Sequence, residues 1–229
     1  MNKEPERLVI DFHTHILPRL DHGSHSVDES VLQLKLARSA GVDVIVATSH
    51  FYPQETTLEK FLPARERSYA ALCEVDLSDA PKIILGAEVL FCERLSKMDG
   101  LDSLCIGEDG PLLLEMPFGK WKDDWFDEIF QIRDRLQGKL ILAHVDRYDR
   151  KYIDFLLDEG FRAQLNASSL NHLLIPAACK KWIKEGKVFA LGSDLHGTNV
   201  GYEPFLRAKG RLGDDFFTIM DRTKKLLNI

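Results

Sequence analysis

The chain has 229 residues, which fits a single domain, with 45% hydrophobic and 29% charged residues as in ordinary globular proteins. Its net charge of −6 excludes the broad basic surface expected of a nucleic-acid-binding protein, so no nucleic-acid partner is expected. No apolar stretch approaches the roughly 18 residues of a membrane span. The polar start lacks the apolar core of a signal peptide, so a cytoplasmic location is expected.

Strand and helix signals alternate along the whole chain, which indicates parallel strands joined by helical crossovers. Seven strands are predicted, over residues 8–10, 42–48, 82–89, 112–115, 140–144, 161–166 and 188–192. Helices are predicted over residues 26–41, 56–74, 124–136, 152–157 and 176–185, and from about residue 214. Ser26 and Thr56 are the expected caps of the first two helices, and Pro63 is expected to break or kink the second.

Residues that bind metals recur where these strands end. His13 and His15 alternate on the first strand, so both imidazoles project from one face and suit a divalent cation. The further candidate ligands at or just after strand ends are His22, His50, Glu88, Glu115, His144, Asp194 and His196. In a closed barrel the carboxyl ends of all strands meet on one face, whereas in an open sheet the first and last would lie too far apart. A seven-stranded α/β barrel, forming one domain over residues 1–229, is therefore favoured.

Each candidate ligand also has a structural alternative when it is taken singly. His50 is compatible with a turn cap, His144 with a buried core imidazole, and Asp194 with a turn residue. Nine such residues at one topological position are harder to explain in this way. Nine nitrogen and oxygen donors also exceed the needs of one ion, so two or three divalent ions are expected, with Glu88 able to bridge two of them.

The four cysteines argue against one class of phosphatase. They are scattered without a C-x-x-C pair, which is typical of reduced thiols. None is followed by an arginine at the spacing that a cysteine-dependent phosphatase needs. Cleavage of a phosphate ester by this protein would therefore not pass through a cysteinyl phosphate.

Five motifs occur in a fixed order: His-x-His at 13–15, Ser-His at 49–50, Gly-Ala-Glu at 86–88, Ala-His-Val-Asp-Arg-Tyr at 143–148 and Gly-Ser-Asp-Leu-His-Gly at 192–197. Together they resemble the PHP (polymerase and histidinol phosphatase) superfamily. More narrowly, they resemble its bacterial metal-dependent protein-tyrosine phosphatases, which are encoded with capsule and exopolysaccharide genes. The resemblance covers about residues 8–197. It implies a distorted seven-stranded barrel with a trinuclear metal centre at the carboxyl ends of the strands.

The resemblance also implies how the ligands are shared among the ions. A first ion would take His13, His15, Glu88 and Asp194; a second Glu88, Glu115 and His144; a third His22, His50 and His196. The tyrosine phosphatases usually carry Asp-Asp-Gly where this chain has Asp21-His22-Gly23, so Asp21 and His25 remain alternatives to His22. Manganese is the favoured ion, although nitrogen and oxygen donors also admit iron, zinc, cobalt and magnesium.

The activity implied by the resemblance is hydrolysis of phosphotyrosine in proteins by a metal-bound hydroxide. A bacterial tyrosine kinase of polysaccharide synthesis is the expected partner. Arg147 is expected to bind phosphate, the alternative being an ion pair with Asp146 or Asp149. His196 or Asp194 is the candidate proton donor. The oligomeric state is not predicted.

Three other functions share features of this pattern. A small-molecule phosphatase of the histidinol-phosphate type and a non-catalytic metal-binding module both remain open. An amidohydrolase also opens with His-x-His, but commonly supplies a lysine from its fourth strand, where this chain has Glu115. Aromatic residues that follow the motifs offer a rim for a phosphotyrosine ring or simple packing; they are Phe51, Tyr52, Phe118, Trp121, Trp125 and Tyr148.

Overall fold

The computed structural model describes residues 7–198 and 201–229, and within them strands and helices alternate in an α/β architecture. The strands are β1 (Ile10–His15), β2 (Val44–Ala47), β3 (His50–Phe51), β4 (Lys82–Leu85), β5 (Glu88–Leu90), β6 (Leu112–Glu115), β7 (Leu140–Leu142), β8 (Arg162–Asn166), β9 (Val188–Gly192) and β10 (Leu195–His196). The helices are α1 (Val27–Ser39), α2 (Leu58–Cys73), α3 (Asp123–Arg135), α4 (Arg150–Asp158), α5 (Ala177–Lys184), α6 (Glu203–Leu212) and α7 (Asp214–Leu226).

The strands form two parallel sheets. One has the order β10-β1-β2-β4, and the other has the order β3-β5-β6-β7-β8-β9. Every residue of β1, β2, β6 and β7 is buried. Continuous burial of this kind is expected where helices cover both faces of parallel strands, and it explains why these segments are short apolar runs.

The strand count differs from the predicted seven, and a single closed barrel is not confirmed, because hydrogen bonding among the described residues divides the strands into sheets of four and six. The additional strands β3, β5 and β10 each follow a longer strand after a two-residue break. The breaks are Thr48–Ser49, Gly86–Ala87 and Ser193–Asp194. At each break the chain passes from one sheet to the other.

The third break has a clear physical cause. Asp194 adopts a left-handed φ of 53°, which bends the chain out of the β conformation. Its N–H then donates to the carbonyl of His13, at 2.8 Å, and the N–H of Ser193 donates to the buried carboxylate of Asp11. These contacts join the end of β9 to β1 and turn the chain into β10.

The helix predictions are confirmed with two corrections. Ser26 caps α1 by accepting a hydrogen bond from the N–H of Glu29 at 3.1 Å. The prediction that Thr56 caps the second helix is wrong, because α2 begins at Leu58 and its N-cap residue is Thr57. α2 also runs through Pro63 without a break, at the loss of the one hydrogen bond that an N–H at this position would donate to the carbonyl of Glu59.

Helix α7 covers the junction between the first and last strands. The N–H of Ile10 in β1 donates to the sulfur of Met220 at 3.2 Å, and the hydroxyl of Thr223 donates to the carbonyl of Phe189 in β9 at 2.7 Å. In the described part of the chain, no helix combines the length and apolar character needed to cross a membrane.

Candidate metal centre

The carboxyl ends of the strands bring the predicted ligands together. Because the strands are parallel, residues at these ends lie at one edge of the two sheets. Contacts of 4 Å or less link eight of the nine predicted ligands into one cluster, which consists of His13, His15, His50, Glu88, Glu115, His144, Asp194 and His196. The ninth, His22, lies in the loop after β1, with its ring centroid 4.7 Å from that of His50 and 4.6 Å from that of His196.

The most buried part of the cluster is formed by His13, His15 and Glu88. The Nε2 atoms of the two histidines are 3.2 Å apart, and Glu88 Oε2 is 3.2 Å from the first and 3.3 Å from the second. Donors that share one ion at about 2.1 Å lie about 3.0–3.4 Å from one another. The three atoms therefore have the separations expected of ligands to a single cation. Asp194 Oδ1 lies 3.6 and 3.5 Å from the same two nitrogens and extends the set.

Glu88 also reaches a second group of donors through its other oxygen. Its Oε1 lies 2.8 Å from Nε2 of His144, while its Oε2 lies 3.0 Å from Nδ1 of His50. Glu115 lies between the same two imidazoles, 3.6 Å from His144 and 3.8 Å from His50. One carboxylate whose two oxygens face different imidazole sets has the arrangement expected of a bridging ligand.

A third group contains three histidines and the loop after β1. His15, His50 and His196 each offer a ring nitrogen within 4.8 Å of the others, and the Nε2 atoms of His50 and His196 are 3.5 Å apart. Asp21 Oδ2 accepts hydrogen bonds from the ring of His15 at 2.9 Å and from the N–H of His50 at 3.0 Å. Asp21 therefore orients neighbouring histidines, and the ring of His22 lies beside those of His50 and His196.

Hydrogen bonds at Nδ1 orient three of the histidines. Oxygen acceptors lie beside Nδ1 of His13, His15 and His196; they are Gln164 Oε1 at 3.2 Å, Asp21 Oδ2 at 2.9 Å and the Asp194 carbonyl at 3.1 Å. An acceptor at Nδ1 favours the tautomer with its lone pair on Nε2. In each case Nε2 is the atom that faces the cluster.

Three buried atoms of the cluster have no hydrogen-bond partner among the described residues: Glu88 Oε2, His50 Nδ1 and His144 Nδ1. The first two lie 3.0 Å apart but do not meet the angular requirements of a hydrogen bond. Buried polar atoms are rarely left without a partner. A cation that accepts the lone pairs of Glu88 Oε2 and His50 Nδ1 would satisfy these two atoms, so the donor set fits a metal centre.

The charges of the cluster favour cation binding. Although burial opposes ionisation, His13 and His144 hold the pKa of Glu88 well below its usual range. The pKa of His144 is raised to about 9: burial lowers it, but hydrogen bonds to Glu115 and Glu88 outweigh that effect. Without metal, the carboxylates thus keep a proton on an imidazole, and a bound cation would take over that positive charge.

Arg147 lies beside the cluster, as predicted, but its partner is a residue distant in sequence. Its Nη2 donates to Asp194 Oδ2 at 2.5 Å, and Asn166 donates to the same oxygen at 2.9 Å. The two alternative partners are engaged elsewhere. Asp146 accepts from the N–H of Asn166, and Asp149 caps α4. The Arg147 side chain remains 41% exposed and accessible to a ligand.

Gln164 is a residue of the site that the sequence analysis does not identify. It is fully buried in β8, and its Oε1 accepts from the N–H of His144 at 2.6 Å while contacting the ring of His13. His144 has a positive φ of 28°, so this hydrogen bond holds a strained backbone position. The available signal is the alternation of the predicted strand 161–166, in which Gln164 and Asn166 share one face and Ala163 and Leu165 share the other.

The structure separates the candidate aromatic rim into two classes. Phe51 and Trp121 are buried in the core, with exposed fractions of 0% and 2%. Tyr52 and Phe118 instead line a cleft that also contains Glu115, and Phe118 is 64% exposed. These two rings therefore lie at the opening of the cluster.

The chain is similar in sequence to known tyrosine-protein phosphatases. The chain is 26% identical to the tyrosine-protein phosphatase CpsB of Streptococcus pneumoniae over 82% of this chain and 83% of that protein. It is 24% identical to the tyrosine-protein phosphatase YwqE of Bacillus subtilis over 82% of this chain and 77% of that protein.

The fold is similar to that of a solved structure from work on Bacillus subtilis YwqE and Streptococcus pneumoniae CpsB, which are described as metal-dependent tyrosine phosphatases. The TM-score is 0.78 at 17% identity, covering 96% of this chain and 94% of that chain. Residues 9–208 match the family described as "Capsular polysaccharide synthesis, CpsB/CapC". The resemblance inferred from the ordered motifs is thereby confirmed, and the chain belongs to the CpsB/CapC family.

Proposed function

We propose that this protein is a metal-dependent tyrosine-protein phosphatase, a phosphoric monoester hydrolase. The observation that carries the proposal is the buried set of His13, His15 and Glu88, whose donor atoms have the separations of ligands to one ion. The relatives named tyrosine-protein phosphatases support the activity at 21–26% identity.

The proposed centre holds two or three divalent ions, with manganese favoured. A first ion takes His13, His15, Glu88 and Asp194; a second takes Glu88, Glu115 and His144; a third takes His22, His50 and His196. The two-sided contacts of Glu88 support its role as the bridging ligand. Divalent ions in such a centre activate water as a nucleophile and offset charge on the phosphoryl oxygens.

Arg147 is the proposed phosphate-binding residue. Its positively charged guanidinium pairs with the Asp194 carboxylate beside the proposed metal ligands. A phosphate dianion is also negatively charged and can therefore bind the same guanidinium. Asn166 also donates to that carboxylate, which keeps Asp194 oriented when the arginine moves to the substrate.

His196 and Asp194 are the proposed candidates for donating a proton to the leaving group. Burial and the charge of His15 lower the pKa of His196 to about 4, and the charges of His13, His15 and Arg147 outweigh burial to lower that of Asp194. Neither residue therefore carries a proton at neutral pH in the metal-free protein. A tyrosine phenolate, with a pKa of about 10, needs less protonic assistance than an alkoxide, which suits a site of this kind.

The proposed substrate is a phosphotyrosyl protein, with a bacterial tyrosine kinase of polysaccharide synthesis as the partner. Membership of the capsular polysaccharide synthesis family supports this choice. We assign the activity to the cytoplasm, in keeping with the free thiols of all four cysteines.

We further infer that residues 1–229 form one domain built on a distorted seven-stranded barrel. If each short strand is joined to the strand that it follows (β2 to β3, β4 to β5 and β9 to β10), seven strand paths result. Pairing of β10 with β1 and of β8 with β9 supports a closed circuit among them.

Removal of metal should abolish activity. The expected result is turnover of p-nitrophenyl phosphate with added Mn²⁺, its loss on chelation, and its recovery when Mn²⁺ is restored. Rates on a phosphotyrosyl peptide and on histidinol phosphate then test the substrate class, because Asp21-His22-Gly23 departs from the Asp-Asp-Gly that is usual in the tyrosine phosphatases. A preference for histidinol phosphate would favour that small-molecule activity, and absence of turnover with any metal would reject a hydrolase.

Replacement of Arg147 with alanine should weaken phosphate binding without removing metal. A charge-assisted hydrogen bond contributes about 1.5–3 kcal/mol, so we expect about a ten- to hundredfold loss in kcat/KM on a phosphotyrosyl peptide. Metal content measured by elemental analysis should be unchanged. Arg150→Ala is the matched control, because Arg150 is exposed and pairs with Asp154 on α4. Equal kinetics of the Arg147 variant and the parent protein would limit Arg147 to a structural role.

A further inference from the structure

A cleft opens beside the metal-ligand cluster, with a volume of about 470 Å³. Its walls include the rings of Tyr52 and Phe118 and the apolar side chains of Leu90, Met116 and Pro117. Glu115, which contacts two histidines of the cluster, also lines it. Gln54 and Glu55 complete the lining, so aromatic and apolar side chains form one part of a cleft that also has polar walls and includes the proposed ligand Glu115.

The two aromatic rings lie over different members of the cluster. Tyr52 stacks on His50, with ring centroids 4.9 Å apart, while Phe118 lies parallel to His144 at 6.4 Å with an angle of 14° between the ring planes. Glu115 contacts both of these histidines. The two rings and Glu115 therefore line one cleft, beside the two histidines that Glu115 contacts.

The position of Phe118 is fixed by buried neighbours, although its own ring is exposed. The hydroxyl of Tyr148 accepts a hydrogen bond from the N–H of Met116 at 2.9 Å, and the indole N–H of Trp121 donates to the carbonyl of Pro117 at 3.0 Å. These two bonds hold the segment that precedes Phe118. An exposed apolar ring on a backbone held in this way is preorganised for a ligand, since little conformational freedom is lost on binding.

We propose that the cleft between Tyr52 and Phe118 binds the aryl ring of an aryl phosphate monoester and so selects aryl over alkyl phosphates. This inference rests on the proposed function. Aromatic rings stack most favourably on other aromatic rings, whereas a short alkyl group gains little from them. The phosphoryl group of a ligand seated there would reach the cluster at Glu115.

The test measures binding separately from catalysis. Phenylphosphonate and methylphosphonate, which are not hydrolysed, are titrated by calorimetry into the Mn²⁺-loaded protein and its variants. In Phe118→Ala we expect the affinity for phenylphosphonate to fall about tenfold and that for methylphosphonate to change less than twofold. Phe155→Ala is the matched control, because Phe155 is also exposed, at 45%, but packs against Phe126 and Phe130 on α3. This control should bind both phosphonates like the parent.

Turnover gives the second readout. The kcat/KM of Phe118→Ala should fall on phenyl phosphate and remain unchanged on an alkyl phosphate such as glycerol 2-phosphate. An equal effect on both ligand classes, or no effect on either, would overturn the aryl site while leaving the phosphatase activity standing. The proposed function fails by a different result, which is absence of turnover of any phosphate ester by the parent protein with metal present.

Discussion

Replacement of Glu88 with alanine should remove both bound metal and activity. Glu88 is 1% exposed, and its two oxygens face His13 and His15 on one side and His144 on the other. No other described carboxylate lies within reach of all three imidazoles. We expect kcat/KM to fall by more than about a hundredfold, because loss of a neighbour that merely orients a metal ligand already costs ten- to hundredfold. Elemental analysis of the purified variant should show lowered metal content.

Two further variants make this prediction specific. Glu88→Gln keeps the size of the side chain and removes its charge, so it should also lose metal if ionic bridging is the role of Glu88. Glu93→Ala removes an exposed glutamate that pairs with Lys122, and it should retain metal and activity. Full metal occupancy in Glu88→Ala would contradict the bridging role.

Replacement of Gly192 with alanine should disturb the site by displacing the buried side chains of His13 and Gln164. A methyl group at this position would lie 2.5 Å from Cβ of His13 and 2.7 Å from Nε2 of Gln164, both of which are fully buried. Neither can withdraw without moving β1 or β8. Overpacking of a buried site lowers the free energy of unfolding by about 1–3 kcal/mol. Each kcal/mol lost lowers the Tm of a protein of this size by about 2–4 °C.

The same variant should lose activity beyond its loss of stability. Displacement of His13 by a fraction of an ångström moves a donor of the buried set, and a misplacement of about 1 Å can cost a hundredfold in rate. Gly210→Ala is the matched control, because Gly210 is exposed in α6 and an added methyl group meets no atom within 4 Å. That control should be as stable as the parent or slightly more stable. A Gly192 variant with unchanged melting temperature and metal affinity would show that β1 can shift freely.

The candidate ligands could be identified from the sequence because their signal is local. His13 and His15 alternate on a strand, and Glu115 ends an apolar run, so residue spacing alone indicates which face each side chain occupies. Their expected assembly followed from one topological argument, that the carboxyl ends of the strands of a closed barrel meet on one face. The geometry of Glu88 agrees with the expected bridge.

The features that escaped prediction depend on contacts between distant parts of the chain. The alternative to phosphate binding by Arg147 is an ion pair with the nearby Asp146 or Asp149, but its partner in the structure, Asp194, is 47 residues away. Gln164 contacts His13 across 151 residues, so the alternation of its strand indicates a polar face but not the histidine that this face contacts. The strand breaks, such as Ser193–Asp194, likewise depend on hydrogen bonds to β1 that no local propensity encodes.

The pairing of β1 with β10, which sets His15 beside His196, has a consequence for how the protein matures. A ribosome must synthesise nearly the whole polypeptide before these strands can meet, and contacts of such long sequence separation form slowly. A nascent chain that still lacks Asp194 and His196 offers only part of the donor set. Because an ion that binds only the native state stabilises that state, metal uptake would favour molecules that have completed folding.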